Sequence, residues 1–259
     1  MNMESLRSSE INNGHMILTS AGPTTQDITD VIRESIHDRI GNRCPRILQI
    51  QDQWNSFAFG ADVSLADRFV HRAESVGSRT WSRIWQQFVF GKSVHVERIE
   101  LSSSSTEDVE AAIERNDIFL APGGNTFLQS QGLLAHKDVI KSKIHTNEVL
   151  YIGESAGSIV AGASLFPAYI EPADIKPGPG SYDALGLIDA DIIIHAEGNN
   201  KKSVVPFLGA IATRALNMSN SNLVSINQYI HANRNVRKSI VLNDGQALIV
   251  DGTNRTLIV

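Results

Sequence analysis

A chain of 259 residues with 42% hydrophobic and 20% charged side chains has the balance of a soluble globular protein, with enough length for a substantial core. The formal net charge of -5, with no basic cluster, argues against nucleic-acid binding by bulk electrostatics. No apolar run is long enough to span a bilayer, and residues 1–14 are too polar for a secretory signal, so the reading is a loose leader on a single cytoplasmic domain with no membrane partner.

In chain order, apolar extended runs alternate with amphipathic ones, the pattern of an α/β fold with a mostly parallel central sheet flanked by helices. Residues 16–19 read as the first strand, closed by Ser20-Ala21-Gly22-Pro23. A helix follows over 27–39, with Ile28, Val31, Ile32 and Ile36 on one face. The strand at 46–50 is preceded by Cys44, the only cysteine, which excludes an intrachain disulfide and beside Pro45 reads as a small buried hydrophobe. Two helices are expected at 65–76 and 81–90, a strand at 94–101 and a helix at 106–115. The buried strand 117–121 ends at Pro122-Gly123-Gly124, after which Asn125 caps a helix. A helix at 137–145, a central strand at 149–152 and a small-residue helix at 156–163 complete this half. Beyond it come a Pro/Gly-rich loop at 171–181, a strand at 191–196, a helix at 204–217 and an extended run at 223–228. Paired strands occupy 239–259, with turns at Asn243-Asp244-Gly245 and Asp251-Gly252.

The sharpest motif is Gly153-Glu154-Ser155-Ala156-Gly157, a G-x-S-x-G sequence between a strand and a helix. A turn that tight leaves no room for side chains at the flanking positions and lifts the serine hydroxyl clear of the sheet. The following helix N-terminus adds free N–H groups and a positive field that favours a developing oxyanion. Ser155 is therefore the candidate nucleophile. Gly124 ends the preceding strand, and in a parallel sheet that end shares an edge with the elbow. The N–H groups of Gly124 and Ala156 are the candidate oxyanion hole. Pro-Gly-Gly-Asn-Thr lacks the lysine of a P-loop and the spacing of a dinucleotide fingerprint.

A serine nucleophile needs a base and a carboxylate that fixes its tautomer. Of eight histidines, His195 stands at the end of an apolar strand and before a polar loop, where a residue can face the site. His37, His71, His136 and His145 fall on or beside helices and read as surface groups, and His15 falls in the leader. Asp174, in the Pro/Gly-rich loop, is the candidate orienter, with Glu171, Asp183, Asp189 and Asp191 as rivals.

At these residues the chain resembles the peptidase E family of serine dipeptidases, which act on substrates with N-terminal aspartate. The similarity runs from Ile17-Leu18-Thr19-Ser20 through Gly123-Gly124-Asn125-Thr126-Phe127 and Tyr151-Ile152-Gly153-Glu154-Ser155-Ala156-Gly157. It continues at Ala168-Tyr169-Ile170, Asp174, Tyr182-Asp183-Ala184-Leu185-Gly186-Leu187, His195, Asn199-Asn200 and Leu242-Asn243-Asp244-Gly245-Gln246-Ala247. The resemblance implies a class I glutamine amidotransferase-like (flavodoxin-like) fold with a C-terminal β-hairpin. It also implies a triad of Ser155, His195 and Asp174, no metal and no organic cofactor. Small peptides are the implied substrates, and a homodimer is compatible with it. Asn125, Thr126, Glu154 and Lys201 are candidate substrate contacts. The family's Pro before the histidine and aromatic after it are replaced by Ile194 and Ala196, and its Pro-Thr-Ala-Ser-like stretch by Gln51-Asp52-Gln53-Trp54. Pairing with a substrate aspartate requires a cation. After His195 the chain offers Lys201 and Lys202 but no arginine before Arg214. The same scaffold could serve a cyanophycinase-like isopeptidase, which would need an acidic site for an arginine side chain, or a catalytically silent binding protein, which a fluorophosphonate would not label.

Overall fold

Seven strands form the main sheet of the computed structural model, which describes residues 14–54, 65–91, 94–169, 182–196, 229 and 238–259. They are β1 (His15–Thr19), β2 (Arg46–Ile50), β3 (His95–Ile99), β4 (Ile118–Ala121), β5 (Leu150–Glu154), β8 (Ala247–Asp251) and β9 (Asn254–Ile258), in the order β3-β2-β4-β5-β1-β8-β9. The first five are mutually parallel, and β8 and β9 run antiparallel as a hairpin on the β1 edge. The expected mostly parallel α/β sheet with a C-terminal hairpin is therefore the architecture observed.

Continuous apolar runs make the central strands because both faces are covered. Met16, Leu18, Phe119 and Tyr151 point into one core, and Ile17, Ile118, Leu120 and Ile152 into the other, as the two-residue period of a strand requires. The first core is closed by α3 (Thr106–Glu114), α4 (Thr126–Ala135), α5 (Lys137–His145) and α6 (Ala156–Ala161), and the second by α1 (Gln26–Ile40) and α2 (Leu65–Phe90). Side-chain oxygens of Thr25, Ser105 and Asn125 accept N–H groups in the first turns of α1, α3 and α4.

Four local expectations are corrected. The two helices read at 65–76 and 81–90 are one helix, α2, running through Gly77, whose position costs only its own propensity. Trp85 and Val89 bury the far end of this helix. Cys44 is exposed, while its neighbour Pro45 is buried. His15 belongs to β1 rather than to a leader. His136 is buried, because its ring nitrogens reach Thr106 Oγ1 and the Leu101 carbonyl.

The end of the chain differs most. β7 (Ser239–Val241) does not form a hairpin with β8. It pairs in parallel with β6 (Asp191–Ile193) as a separate two-stranded sheet. The Asn243-Asp244-Gly245 turn is thus a crossover from one sheet to the other. The predicted helix at 204–217, the extended run at 223–228 and the loop at 171–181 lie outside the described residues.

Candidate active site

The elbow follows β5 directly. Ser155 has φ 48° and ψ -108°, a left-handed backbone that a non-glycine residue holds at a cost of about 1–3 kcal/mol. Hydrogen bonds overdetermine it. The Ser155 N–H donates to the Thr19 carbonyl at 3.0 Å, and Ser158 Oγ lies within 2.8 Å of that same carbonyl and 2.9 Å of the Gly153 carbonyl. The crowding expected of the flanking glycines is present. A Cβ on Gly157 would lie 2.0 Å from the Ala121 carbonyl oxygen, and one on Gly153 would lie 2.9 Å from the Gly157 backbone. Gly157→Ala is accordingly expected to cost about 3 kcal/mol or more, read as a lowered urea midpoint, because the obstacle is backbone of the neighbouring strand end.

His195 lies just past β6 and also has positive φ, 52°. Its Nε2 is 3.2 Å from Ser155 Oγ. On the other side of the ring, Nδ1 is 2.5 Å from Asp244 Oδ1. A carboxylate at Nδ1 assigns the proton there, leaving Nε2 as the acceptor for the serine hydroxyl. Ser20, at the end of β1, ties the group together. Its Oγ accepts the His195 backbone N–H at 2.9 Å and donates to Asp244 Oδ1 at 2.9 Å. Burial pushes the Asp244 carboxyl up, but the hydrogen bonds and charge of His195, with Ser20 helping, outweigh it and hold the group below its ordinary range.

Asp174, Glu171 and Lys201 lie outside the described residues. Two of the other rival carboxylates have partners away from the His195 ring. Asp191 is fully buried and accepts from Ser164 at 2.7 Å and from the Tyr229 hydroxyl. Asp189 pairs with Lys238 at the surface, and Asp183 is exposed. Sequence reasoning missed Asp244 and Ser20. The signal was present: a strand antiparallel to β1 brings the turn before it to the edge where β1 ends, beside the elbow.

Gly124 and Ala156 both lie at the sheet edge, and neither N–H has a hydrogen-bond partner among the described residues. Asn125, Thr126 and Glu154, the candidate substrate contacts, are buried beside the elbow and the β4 end. Asn125 Oδ1 takes the Phe127 and Leu128 N–H groups, Thr126 is 2% exposed, and Glu154 is 4% exposed. Burial pushes the Glu154 carboxyl up to about 8, against the opposing pull of the Trp85 side chain and the Gly123 N–H. An acid whose folded pKa is raised loses stability as pH rises from its unfolded value towards the folded one. Between about pH 4.5 and 8 the protein should therefore lose stability that Glu154→Gln retains, at most on the order of 4–5 kcal/mol. Denaturant melts of both proteins at pH 5 and pH 8 measure the difference. Equal slopes against pH would show that Glu154 is ionised in the folded state.

Among the described residues no group of three or more His, Cys, Asp or Glu side chains is placed to hold a metal ion, and no helix is long and apolar enough to cross a membrane.

The fold is shared with peptidase structures. A crystal structure of a Listeria monocytogenes protein assigned as a peptidase E aligns with TM-score 0.57 and 19% identity over 95% of this chain and 98% of that one. A peptidase from an acI-B1 actinobacterium aligns with TM-score 0.54 and 13% identity over 96% and 88%. The sequence model of peptidase family S51 matches residues 78–258, and the chain belongs to that family. An uncharacterized peptidase of Listeria innocua is 30% identical over 130 residues, 48% of this chain and 60% of that protein. One from Pasteurella multocida is 27% identical over 103 residues, 39% and 49% respectively. The matched segments thus span less than two thirds of these relatives.

Proposed function

We propose that this chain is a serine peptidase acting on small peptides through Ser155, His195 and Asp244. The observation that carries the reading is the line of contacts from Ser155 Oγ to His195 Nε2 at 3.2 Å and from His195 Nδ1 to Asp244 at 2.5 Å. His195 takes the hydroxyl proton as Ser155 attacks the peptide carbonyl, and Asp244 stabilises the imidazolium that forms. The Gly124 and Ala156 N–H groups receive the oxyanion. His195 then protonates the leaving amine, and water, activated by the same ring, clears the acyl-enzyme. Asp244 takes the orienting role that the resemblance had placed on Asp174.

Family membership supports peptide hydrolysis, and the resemblance to peptidase E favours dipeptides with N-terminal aspartate as the first substrates to try. A panel of dipeptides with and without N-terminal Asp, together with an aspartyl-arginine isopeptide, tests this. Cleavage restricted to Asp-X supports the full reading. Cleavage of other peptides keeps the triad and discards the specificity, and no cleavage of any peptide counts against the peptidase reading itself.

A further inference from the structure

The segment Gln51-Asp52-Gln53-Trp54, which departs from the family pattern, takes no direct part in the proposed chemistry, yet three of its residues are buried against the site. Asp52, Gln53 and Trp54 form a short 3-10 turn after β2 and are 2%, 0% and 3% exposed. Asp52 anchors the turn from behind, its carboxylate oxygens each accepting a backbone N–H, from Leu101 and Ser102, at 2.8 Å. The opposite side of the turn grips the end of β4. Trp54 Nε1 donates to the Gly123 carbonyl at 3.1 Å. The Gln53 carbonyl accepts the Asn125 N–H at a long 3.4 Å. The Gln53 side chain lies where a Cβ of Gly124 would be, with Cγ at 2.7 Å, and Gly124 has φ +145°. Glu154 holds Gly123 from its other side by accepting the Gly123 N–H.

The Gly123 carbonyl and the Gly124 N–H belong to one planar trans peptide and point in opposite directions. A donor fixed on the carbonyl therefore fixes where the N–H points. We propose that Trp54 is a positioning residue for the oxyanion hole: its indole N–H locks the Gly123–Gly124 peptide so that the Gly124 N–H faces the carbonyl attacked by Ser155. The proposal rests on the reading of Ser155 as nucleophile and Gly124 as oxyanion donor. Its physical content is preorganisation. A peptide plane between two glycines is free to rotate, and a donor that must be reoriented during the reaction stabilises the transition state less than one already aimed.

The test uses the rate at which a small alkyl fluorophosphonate labels the protein, because the phosphoryl oxygen needs the same donors and no peptide specificity is involved. Intact protein, Trp54→Phe, Trp54→His and Ser155→Ala are compared, with Tm measured for each. Phenylalanine keeps a six-membered ring and loses the donor. Histidine is smaller, but its Nε2 occupies the ring position of the indole Nε1 and can still donate. Positioning predicts labelling in the order Trp, His, Phe, with Trp54→Phe slower than intact protein by about 10–100-fold. If Trp54 acts only by packing, Phe labels at least as fast as His, and the proposal is overturned while the triad reading stands. Should Trp54→Phe fail to fold, Trp54→His labelling at less than about a hundredth of the intact rate, with Tm unchanged, would equally overturn it. Labelling of Ser155→Ala as fast as intact protein, or no labelling of intact protein, removes the triad reading and this proposal with it.

Discussion

Ser155→Ala is expected to lower kcat on any cleaved dipeptide by about 10⁶-fold while leaving Tm unchanged or slightly raised. The magnitude follows from the role. Without the hydroxyl no acyl-enzyme forms, and the groups that remain can only hold a water molecule near the carbonyl. The Tm behaves differently for a separate reason. Ser155 occupies a left-handed conformation held by the Thr19 and Gly153 carbonyls through its own N–H and through Ser158, and among the described residues its hydroxyl contributes only the 3.2 Å contact to His195. Removing it gives up little folding energy. Hydrolysis measured alongside thermal melts separates the two effects. A variant that retained more than a few per cent of activity would place the nucleophile elsewhere.

Asp244→Asn should reduce kcat by about 10³–10⁴-fold with KM little changed, whereas Asp174→Ala should stay near the intact rate. Asparagine keeps the size of the side chain and can still meet Nδ1, but its amide can also donate, which favours the tautomer with Nε2 protonated. That tautomer cannot accept the serine proton. The carboxylate also has Ser20 Oγ at 2.9 Å, and this contact cannot replace the negative charge. Steady-state kinetics on the two variants decide between the candidate acids. A collapse in Asp174→Ala with Asp244→Asn intact would reverse the assignment.

The residues of this candidate site were not equally readable in the sequence. Ser155 could be picked out as the candidate nucleophile because its motif has a local signature: glycines where Cβ atoms would strike the Ala121 carbonyl and the Gly157 backbone. His195 could be found because it stands at the end of an apolar strand. Asp244 was hidden by its own context. Asn-Asp-Gly is a strong turn signal, and a turn explains the aspartate without any chemistry. The role proposed for it depends on β7 and β8 lying in different sheets, a long-range pairing that no local pattern carries. Glu154 and Asn125 pose the opposite difficulty. Polar residues beside a catalytic motif invite a substrate role, and only the packing shows that Asn125 is spent on a helix cap and Glu154 on Gly123. The single long helix α2 went unread because Gly77 lies midway between two apolar clusters, and propensity alone suggests a break there.

The crossover between the two sheets also bears on timing. Synthesis supplies β5 and Ser155 before His195, and the turn with Asp244 after that, followed by β8, which docks beside β1. A chain extended from the ribosome only as far as Ala196 would hold Ser155 and His195 without the Asp244 carboxylate that orients the ring on the proposed reading. Hydrolytic competence, on the proposed reading, is therefore withheld from the nascent chain until the β8–β9 hairpin has closed against β1.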